Sequence, residues 1–192
     1  CLVELSVISA SVQQSQSHAA ARGDEGGARL VWSSSQSSQR LSSSLRAMQQ
    51  LKEMKEMIRS SKKRYKILCG HHTWRSIGGH GNADKQFEDF MQDLLKDVTV
   101  DMYMCGHDHC KNHSVVTLPN KKKVHSVIIG TGGKVYDVNM RFMENLDKGD
   151  FDLEFHSPNL GYLVFRAHKT GITLKFYNEE NVLEYDFLIK NA

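Results

Sequence analysis

The sequence has little of several features that would place a protein in a class directly. It contains only two prolines, and its four cysteines follow no spacing that defines a disulfide framework. It has no run of about 18 apolar residues, which excludes a membrane-spanning helix. The formal net charge is only +3, too small to indicate a nucleic-acid partner, because that inference needs a strong basic excess on one face. No basic segment precedes the apolar residues near the start, so they are a poor candidate for a signal peptide and the compartment stays open.

What remains is the composition of an ordinary globular protein. Of the 192 residues, 40% are hydrophobic and 24% are charged, and this length predicts about one domain. Residues 1–39 are rich in Ser, Gln, Ala and Gly, and such a segment buries too little apolar surface to offset the entropy lost on ordering. We therefore predict a disordered, low-complexity lead over residues 1–39 and a folded domain over residues 40–192.

Apolar periodicity predicts helix, strand, helix and strand at the start of this domain. Six apolar residues at steps of three and four predict a helix that ends near Ser60: Leu41, Leu45, Met48, Leu51, Met54 and Ile58. YKILC at 65–69 and VDMYMC at 100–105 predict buried strands, and the helix between them begins at a cap, Asn82 or Asp84. Two strands joined in this way are expected to lie parallel, with a right-handed crossover.

The remaining sequence predicts antiparallel strands. Residues 114–118 and 124–130 form a plausible hairpin, and three further strands are predicted at 162–168, 172–177 and 182–189. The stretch 136–156 is predicted as an irregular loop. The predicted fold class is therefore mixed α/β, with a parallel strand-helix-strand unit followed by an antiparallel β-meander.

Both predicted parallel strands end in Gly-His sequences. Gly70 precedes His71 and His72, and GHDH at 106–109 follows the second strand. Because ligands bind at the carboxyl ends of parallel strands, where the loops converge, we expect these histidines to lie side by side. Six of the ten histidines fall within this unit: His71, His72, His80, His107, His109 and His113. Neutral imidazole is a common ligand of zinc and iron, so the pattern indicates a metal site.

Other interpretations of these residues stay open. A single His-x-His motif has little specificity, since histidine also serves as an ordinary core or surface residue. Cys105 and Cys110 flank the second motif and would allow a structural Cys/His zinc site, although its ligands would lie too close together for a standard finger. Cys69 and Cys105 end apolar strands and suit buried, inert thiols. Asp108 is expected to support the site from behind or to lie on the surface, because it points away from its neighbours in an extended segment.

The residues around these histidines resemble a known family. CGHHTWRSIGGHG at 69–81 and VDMYMCGHDHCKNH at 100–113 are similar to the last two motifs of the calcineurin-like metallophosphoesterases, in particular the purple acid phosphatases of the tartrate-resistant type. HSVIIGTGGK at 125–134 resembles the glycine-rich strand end of that family, and the strands that follow resemble its closing β-meander. The resemblance runs from near Arg40 to the C-terminus. It implies the C-terminal half of a four-layer α/β/β/α fold.

The resemblance implies an acid phosphatase, in which a metal-bound hydroxide hydrolyses a phosphate monoester. The implied cofactor is a dinuclear centre of iron with zinc, manganese or a second iron. His71 and His107 resemble ligands of the divalent metal, and His109 resembles the histidine ligand of the ferric ion. His80 resembles the histidine that binds substrate and protonates the leaving alkoxide, with a plain loop histidine as the alternative. Members of the family are commonly secreted or lysosomal.

The ligand set implied by the resemblance is incomplete in this sequence. The family's first strands supply two aspartates, a tyrosine and an asparagine; none is recognisable here, and Gly23-Asp24 lacks the apolar strand that should precede it. Metals with a combined charge of about five positive units need anionic ligands, which neutral imidazoles do not provide. We therefore expect the N-terminal half of the domain to be missing from this chain. The alternative is a phosphatase-fold protein that binds or scaffolds without catalysis.

Overall fold

The computed structural model of the chain describes residues 5–9, 33–133, 135 and 151–190. In this part of the chain, two helices and nine strands have the following bounds: β1 Leu5–Ser9, α1 Ser33–Ser60, β2 Tyr65–Cys69, α2 Lys85–Asp97, β3 Met102–Cys105, β4 Lys111–Thr117, β5 Lys123–Ile129, β6 Phe151–Ser157, β7 Gly161–Ala167, β8 Gly171–Asn178 and β9 Leu183–Lys190. Neither of these helices is both long and apolar enough to cross a membrane.

The strands form two sheets. The first has six strands in the order β1-β2-β3-β5-β4-β6, and the second has three in the order β7-β8-β9. β1, β2, β3 and β5 are parallel neighbours, whereas β4 runs antiparallel to β5 and to β6. The parallel pairing of β2 and β3 and the β4-β5 hairpin were both predicted. This order places the carboxyl ends of β2, β3 and β5 along one edge of the first sheet.

Apolar side chains hold these elements in three layers. Neighbouring residues of β2 alternate between two cores, because successive side chains of a strand point to opposite faces. Leu68 belongs to the core that includes Ile58 of α1 and Leu94 of α2. Ile67 belongs to the core between the two sheets, with Phe176 of β8. The described residues therefore form an α/β/β arrangement, which confirms the mixed α/β class.

The start of α2 follows from its sequence. Asp84 is the N-cap: its carboxylate accepts a hydrogen bond from the N–H of Phe87 at 2.8 Å, which selects Asp84 from the two predicted caps. Glu88 lies in the first turn and Lys96 in the last, and both charges complement the helix dipole. The beginning of the helix that separates the two Gly-His motifs is thus set by a local contact within its own sequence.

The N-terminal part of the chain differs from the prediction. β1 pairs in parallel with β2, and α1 begins at Ser33, eight residues before Leu41, so a strand and two helical turns lie in the segment predicted as a disordered lead. A short strand is hard to recognise when its pairing partner lies far along the chain. Residues 10–32 lie outside the described residues, and the domain boundary at residue 40 stays a prediction. Leu45 and Met48 are each 65% exposed, so the apolar face of α1 is not buried along its whole length.

β6 is a second difference. It spans Phe151–Ser157, where we predicted the end of an irregular loop, and it pairs with β4. Phe151, Leu153 and Phe155 alternate with Asp152 and Glu154, which is the period of a strand and was overlooked. Residues 136–150 of the predicted loop lie outside the described residues. The three strands predicted after it correspond to β7, β8 and β9.

Two histidines and a tyrosine, of which His113 is fully buried, are connected by hydrogen bonds between the sheets. Nε2 of His113 lies 2.9 Å from Nδ1 of His125, and Nδ1 of His113 lies 3.0 Å from the hydroxyl of Tyr185. Burial and the neighbouring His125 lower the pKa of His113 to about 3. Burial and the charge of Lys123 lower the pKa of His125 to about 4. Both imidazoles are therefore neutral in the folded protein at pH 7.

The lowered pKa values of His113 and His125 predict a loss of stability in acid. In the unfolded protein both histidines gain a proton near pH 6.5, whereas in the folded protein they remain neutral until about pH 4 to 3. The free energy of unfolding should therefore decrease as the pH is lowered from about 6.5 to about 4, by up to about 1.4 kcal/mol per pH unit for each histidine. Urea unfolding at several pH values measures the slope. The His113→Gln/His125→Gln variant should have a clearly smaller slope, and an unchanged slope would contradict the assignment.

Candidate active site

The candidate site forms where β2 and β3 end. β2 ends at Cys69 and β3 at Cys105, and the two Gly-His loops follow directly. The N–H of Gly106 donates a hydrogen bond to the carbonyl of His71 at 3.3 Å, so the two loops contact each other through their backbones. The structure thus brings together the two Gly-His sequences that the parallel pairing of β2 and β3 places at one edge.

Four imidazole rings meet between these loops. Nδ1 of His107 lies 3.2 Å from Nε2 of His71, within hydrogen-bond distance. The ring centroid of His107 lies 4.3 Å from that of His80, 4.7 Å from that of His72 and 5.0 Å from that of His71. Of the predicted site residues, His71, His80 and His107 therefore lie together. We call these three residues and His72 the histidine cluster. His109 is half-buried two residues beyond His107, and its role as a ligand stays a prediction.

The surroundings of His107 and His72 favour the neutral form of these two rings. Burial, followed by the like charges of His80, His72 and His71, lowers the pKa of His107 to about 4, and Asp108 opposes this only in part. Burial and the neighbouring His71 also lower the pKa of His72. A metal ion binds the lone pair of a neutral imidazole, so protons compete weakly for His107 at neutral pH.

The pair of His71 and His107 fits one metal ion but not a complete dinuclear centre. Two nitrogens bound to one tetrahedral zinc ion at about 2.0–2.1 Å lie about 3.3 Å apart. The distance of 3.2 Å between His71 Nε2 and His107 Nδ1 is close to that value. Within the ranges that the structure describes, however, no group of three or more His, Cys, Asp and Glu side chains is arranged to hold an ion. The described residues alone therefore do not supply the ligands of a dinuclear centre.

The loop that carries His80 is anchored to α2. The indole N–H of Trp74 donates to Oε2 of Glu88 at 3.0 Å, and the Arg75 guanidinium binds both oxygens of the same carboxylate. Burial acts to raise the pKa of Glu88, but the hydrogen bonds from Arg75 prevail and its pKa lies below the ordinary value. Glu88 therefore remains ionised and holds the loop. Sequence analysis overlooked this contact, although a Trp-Arg pair ahead of an acidic first helical turn is a visible signal.

Asp108 lies beneath the same loop. Its side chain is fully buried, and its carboxylate accepts hydrogen bonds from the hydroxyl of Ser76 and from the backbone N–H of His80, the latter at 3.2 Å. Of the two roles expected for Asp108, the structure shows the supporting one. A carboxylate buried in this way is not a surface group.

The end of β5 packs directly against the turn that carries His107 and His109. The N–H of Gly130 donates to the carbonyl of Cys110 at 3.1 Å. A Cβ atom added at Gly130 would overlap the carbonyl oxygen of Asp108 and would lie 3.4 Å from the Cα of His109. Glycine is therefore needed at position 130, because β5 approaches the turn too closely there for a side chain.

Gly130→Ala is accordingly expected to destabilise the protein by about 1–3 kcal/mol, the usual cost of forcing extra atoms into a packed site. Urea unfolding measures this cost. Gly132→Ala is the matched control, because no atom lies within 4 Å of a Cβ added at Gly132. Equal stabilities of the two variants would show that the close approach of β5 to the histidine turn is not important.

The three cysteines near the site are free thiols, and two of them are buried. Cys105 and Cys110 are 4% and 1% exposed, and Cys69 is half-buried. Burial raises the pKa of Cys110 to about 12 and raises the pKa of Cys105 as well. Because a metal binds the thiolate, this environment does not favour the structural Cys/His zinc site. It agrees with the interpretation of these residues as inert thiols.

Comparison with known proteins decides the family. The sequence profile of the calcineurin-like phosphoesterases matches residues 25–111. Purple acid phosphatase 17 of Arabidopsis thaliana is 46% identical over 131 residues, which cover 67% of this chain and 36% of that protein. The chain belongs to the calcineurin-like phosphoesterase family. Purple acid phosphatase 3 of the same plant is 30% identical over 131 residues, which cover 67% of the phosphoesterase chain and 33% of that relative.

Solved structures show the same phosphoesterase fold. Purple acid phosphatase PPD1 from seeds of yellow lupin, Lupinus luteus, has a TM-score of 0.54 at 16% identity. The superposition covers 72% of this chain and 27% of the lupin chain. GAP50, the anchor in the inner membrane complex of Plasmodium, has a TM-score of 0.56 at 19% identity. The superposition covers 74% of this chain and 42% of the GAP50 chain. At such identities these structures show the fold alone. The phosphoesterase chain spans about a third of the length of the curated relatives.

Proposed function

We propose that this phosphoesterase chain supplies the histidine part of an acid phosphatase centre that hydrolyses phosphate monoesters. The observation that carries the proposal is the histidine cluster itself, in which His107 lies 3.2 Å from His71 and its ring centroid lies 4.3 Å from that of His80. The similarity to purple acid phosphatases supports the choice of substrate class. Neither strand alone brings these rings together, so the site depends on the parallel β2-β3 pairing.

In this proposal His71 and His107 bind one divalent ion through Nε2 and Nδ1, and His109 binds a second ion, iron. The divalent ion is zinc, manganese or iron, as in the family that the sequence resembles. When bound, such ions supply a hydroxide nucleophile at moderate pH and neutralise charge on the phosphate. The low pKa of His107, about 4, keeps its nitrogen available to an ion in mildly acidic solution.

His80 is proposed as the general acid. It is exposed at the mouth of the cluster, its ring stacks on His107 at a tilt of 33°, and its backbone N–H is held by Asp108. An imidazole in this position can bind the anionic ester and pass a proton to the leaving alkoxide. Such assistance is worth roughly 10²–10⁴-fold in rate.

The proposed centre needs anionic ligands in addition to these histidines. In the part of the chain that the structure describes, the nearest carboxylate to the cluster in sequence, Asp108, is fully buried and accepts hydrogen bonds from the hydroxyl of Ser76 and the backbone N–H of His80. The anionic ligands have to come from outside the described residues. We therefore expect this chain alone to bind at most one zinc or iron ion, weakly.

The lack of a three-ligand group among the described residues favours a second function. A phosphatase fold whose described residues hold no three-ligand group could bind a partner or serve as a scaffold without catalysis. Both functions predict the same fold, and they differ in whether bound metal produces hydrolysis.

Metal counting together with hydrolysis of p-nitrophenyl phosphate at acid pH tests the proposal. With iron and zinc supplied, the chain should show slow turnover that is lost in His80→Ala and in His107→Ala. Bound metal without any turnover would favour the scaffold function. Tight retention of two ions with fast turnover would show that residues outside the described ranges complete the centre within this chain.

A further inference from the structure

The buried carboxylate of Asp108 connects the two loops of the candidate site. It belongs to the β3 loop, which also carries His107, but its hydrogen-bond donors belong to the β2 loop. Oδ2 accepts from the hydroxyl of Ser76, and Oδ1 accepts from the N–H of His80 at 3.2 Å. The Ser76 oxygen in turn accepts from the N–H of Gly78 at 3.0 Å. One carboxylate therefore fixes three consecutive parts of the loop that ends at His80.

The turn before Asp108 needs such support. His107 has φ = 58°, in the left-handed region that a residue with a side chain adopts only at a cost. The N–H of Asp108 donates to the carbonyl of Gly106 at 2.7 Å, which closes a tight turn around His107. In this conformation His107 faces the histidine cluster while Asp108 faces the interior. The two side chains leave the turn in different directions because of that backbone conformation.

The β2 loop is shaped to receive the carboxylate. A Cβ atom added at Gly78 would lie 2.5 Å from Oδ2 of Asp108, so any side chain at this position would collide with it. A buried carboxylate is stable only when hydrogen bonds replace its lost hydration, and charge-assisted bonds of this kind are the strong ones. The contact is therefore specific in both shape and charge.

We propose that Asp108 is a positioning residue, which holds His80 over the ring of His107. The proposal rests on the proposed function in that it explains how His80 comes to face the bound ester. Asp108 itself does not touch the substrate in this proposal. It acts through the backbone of His80, and without it the β2 loop keeps its anchor at Glu88 but loses the contact that sets the 4.3 Å stacking distance.

The test compares Asp108→Asn with Asp101→Asn in the full chain without metal. Asp101 is a matched control, because its carboxylate also accepts a backbone hydrogen bond, from the N–H of Lys66 at 2.7 Å, but at the other end of β3. The readout is the nuclear Overhauser effect between the ring protons of His80 and His107. We expect it to fall at least two-fold in Asp108→Asn and to stay at the wild-type value in Asp101→Asn. Wild-type intensity in folded Asp108→Asn would overturn the proposal.

Gly78→Ala provides the second variant in case Asp108→Asn does not fold. It leaves the carboxylate in place but should push it away from the β2 loop, and Gly133→Ala is its control, because nothing lies within 4 Å of a Cβ there. We expect the same loss of the His80–His107 effect in Gly78→Ala alone. Equal intensities in the two alanine variants would overturn the proposal.

A kinetic readout separates the positioning of His80 from its chemistry. If His80 protonates the leaving group, Asp108→Asn should lower kcat for glycerol 2-phosphate about 10-fold more than kcat for p-nitrophenyl phosphate, whose leaving group needs little protonation. Equal losses for both esters would overturn the link to leaving-group protonation. If the wild-type chain hydrolyses neither ester with iron and zinc supplied, the catalytic part of the proposed function fails for this chain alone, and the Overhauser measurement decides the positioning role.

Discussion

His107→Ala is expected to abolish detectable binding of zinc or iron to this chain. The substitution removes one of the two nitrogens that lie 3.2 Å apart, and it removes the ring that contacts all three others in the cluster. Removing a residue that hydrogen-bonds to a metal ligand already lowers metal affinity by about 10–100-fold. Removing the ligand itself should therefore lower it by at least about 100-fold. Titration against a competing zinc indicator measures the change.

The control for this experiment is His168→Ala. His168 is half-buried at the opposite end of β2, where its carbonyl accepts a hydrogen bond from the hydroxyl of Tyr65 at 2.6 Å. Its substitution should leave the metal affinity unchanged. Equal affinities of His107→Ala and wild type, with both proteins folded, would contradict the assignment of the metal site to the histidine cluster.

The second large effect is expected at the ion pair between Lys111 and Glu184. Glu184→Ala should destabilise the protein by about 3–5 kcal/mol, because it leaves a buried cation without its counter-charge. Lys111 of β4 is completely buried, and its ammonium group binds the Glu184 carboxylate and the carbonyls of Leu160 and Tyr177, at 3.2 and 3.1 Å. This ion pair joins the six-stranded sheet to β9 of the second sheet. Urea unfolding at pH 7 measures the loss.

Two variants control for a general effect of removing charge. Asp89→Ala removes the partner of Lys85 in an exposed pair, whose side chains are 60% and 87% exposed, and should change stability by less than about 0.5 kcal/mol. Lys111→Met/Glu184→Gln removes both charges and should recover much of the stability lost in Glu184→Ala. A loss below about 1 kcal/mol in Glu184→Ala would show that Lys111 finds other compensation.

The sequence predicted the elements that carry the site because each has a strong local signal. YKILC followed by glycine, the amphipathic helix capped by Asp84, and the next apolar run define the β2-α2-β3 unit. Once β2 and β3 are parallel, the two Gly-His loops have to meet at one edge of the sheet. The meeting of His71, His80 and His107 therefore followed from local patterns and one rule of topology.

The contacts that position these histidines could not be predicted in the same way. Asp108 binds Ser76, 32 residues away, and whether its side chain points inward depends on the left-handed conformation of His107. The need for glycine at position 130 arises from a close approach between two backbones. Such features depend on three-dimensional distances, which periodicity and motif spacing do not contain.

The structure of the zinc-loaded chain tests the central claim most directly. Anomalous scattering at the zinc edge locates the ion without reference to any activity. The proposed function predicts a single zinc ion bound to Nε2 of His71 and Nδ1 of His107, the two nitrogens that lie 3.2 Å apart in the histidine cluster. A zinc ion at any other group of residues, with those two nitrogens still hydrogen-bonded to each other, would contradict it.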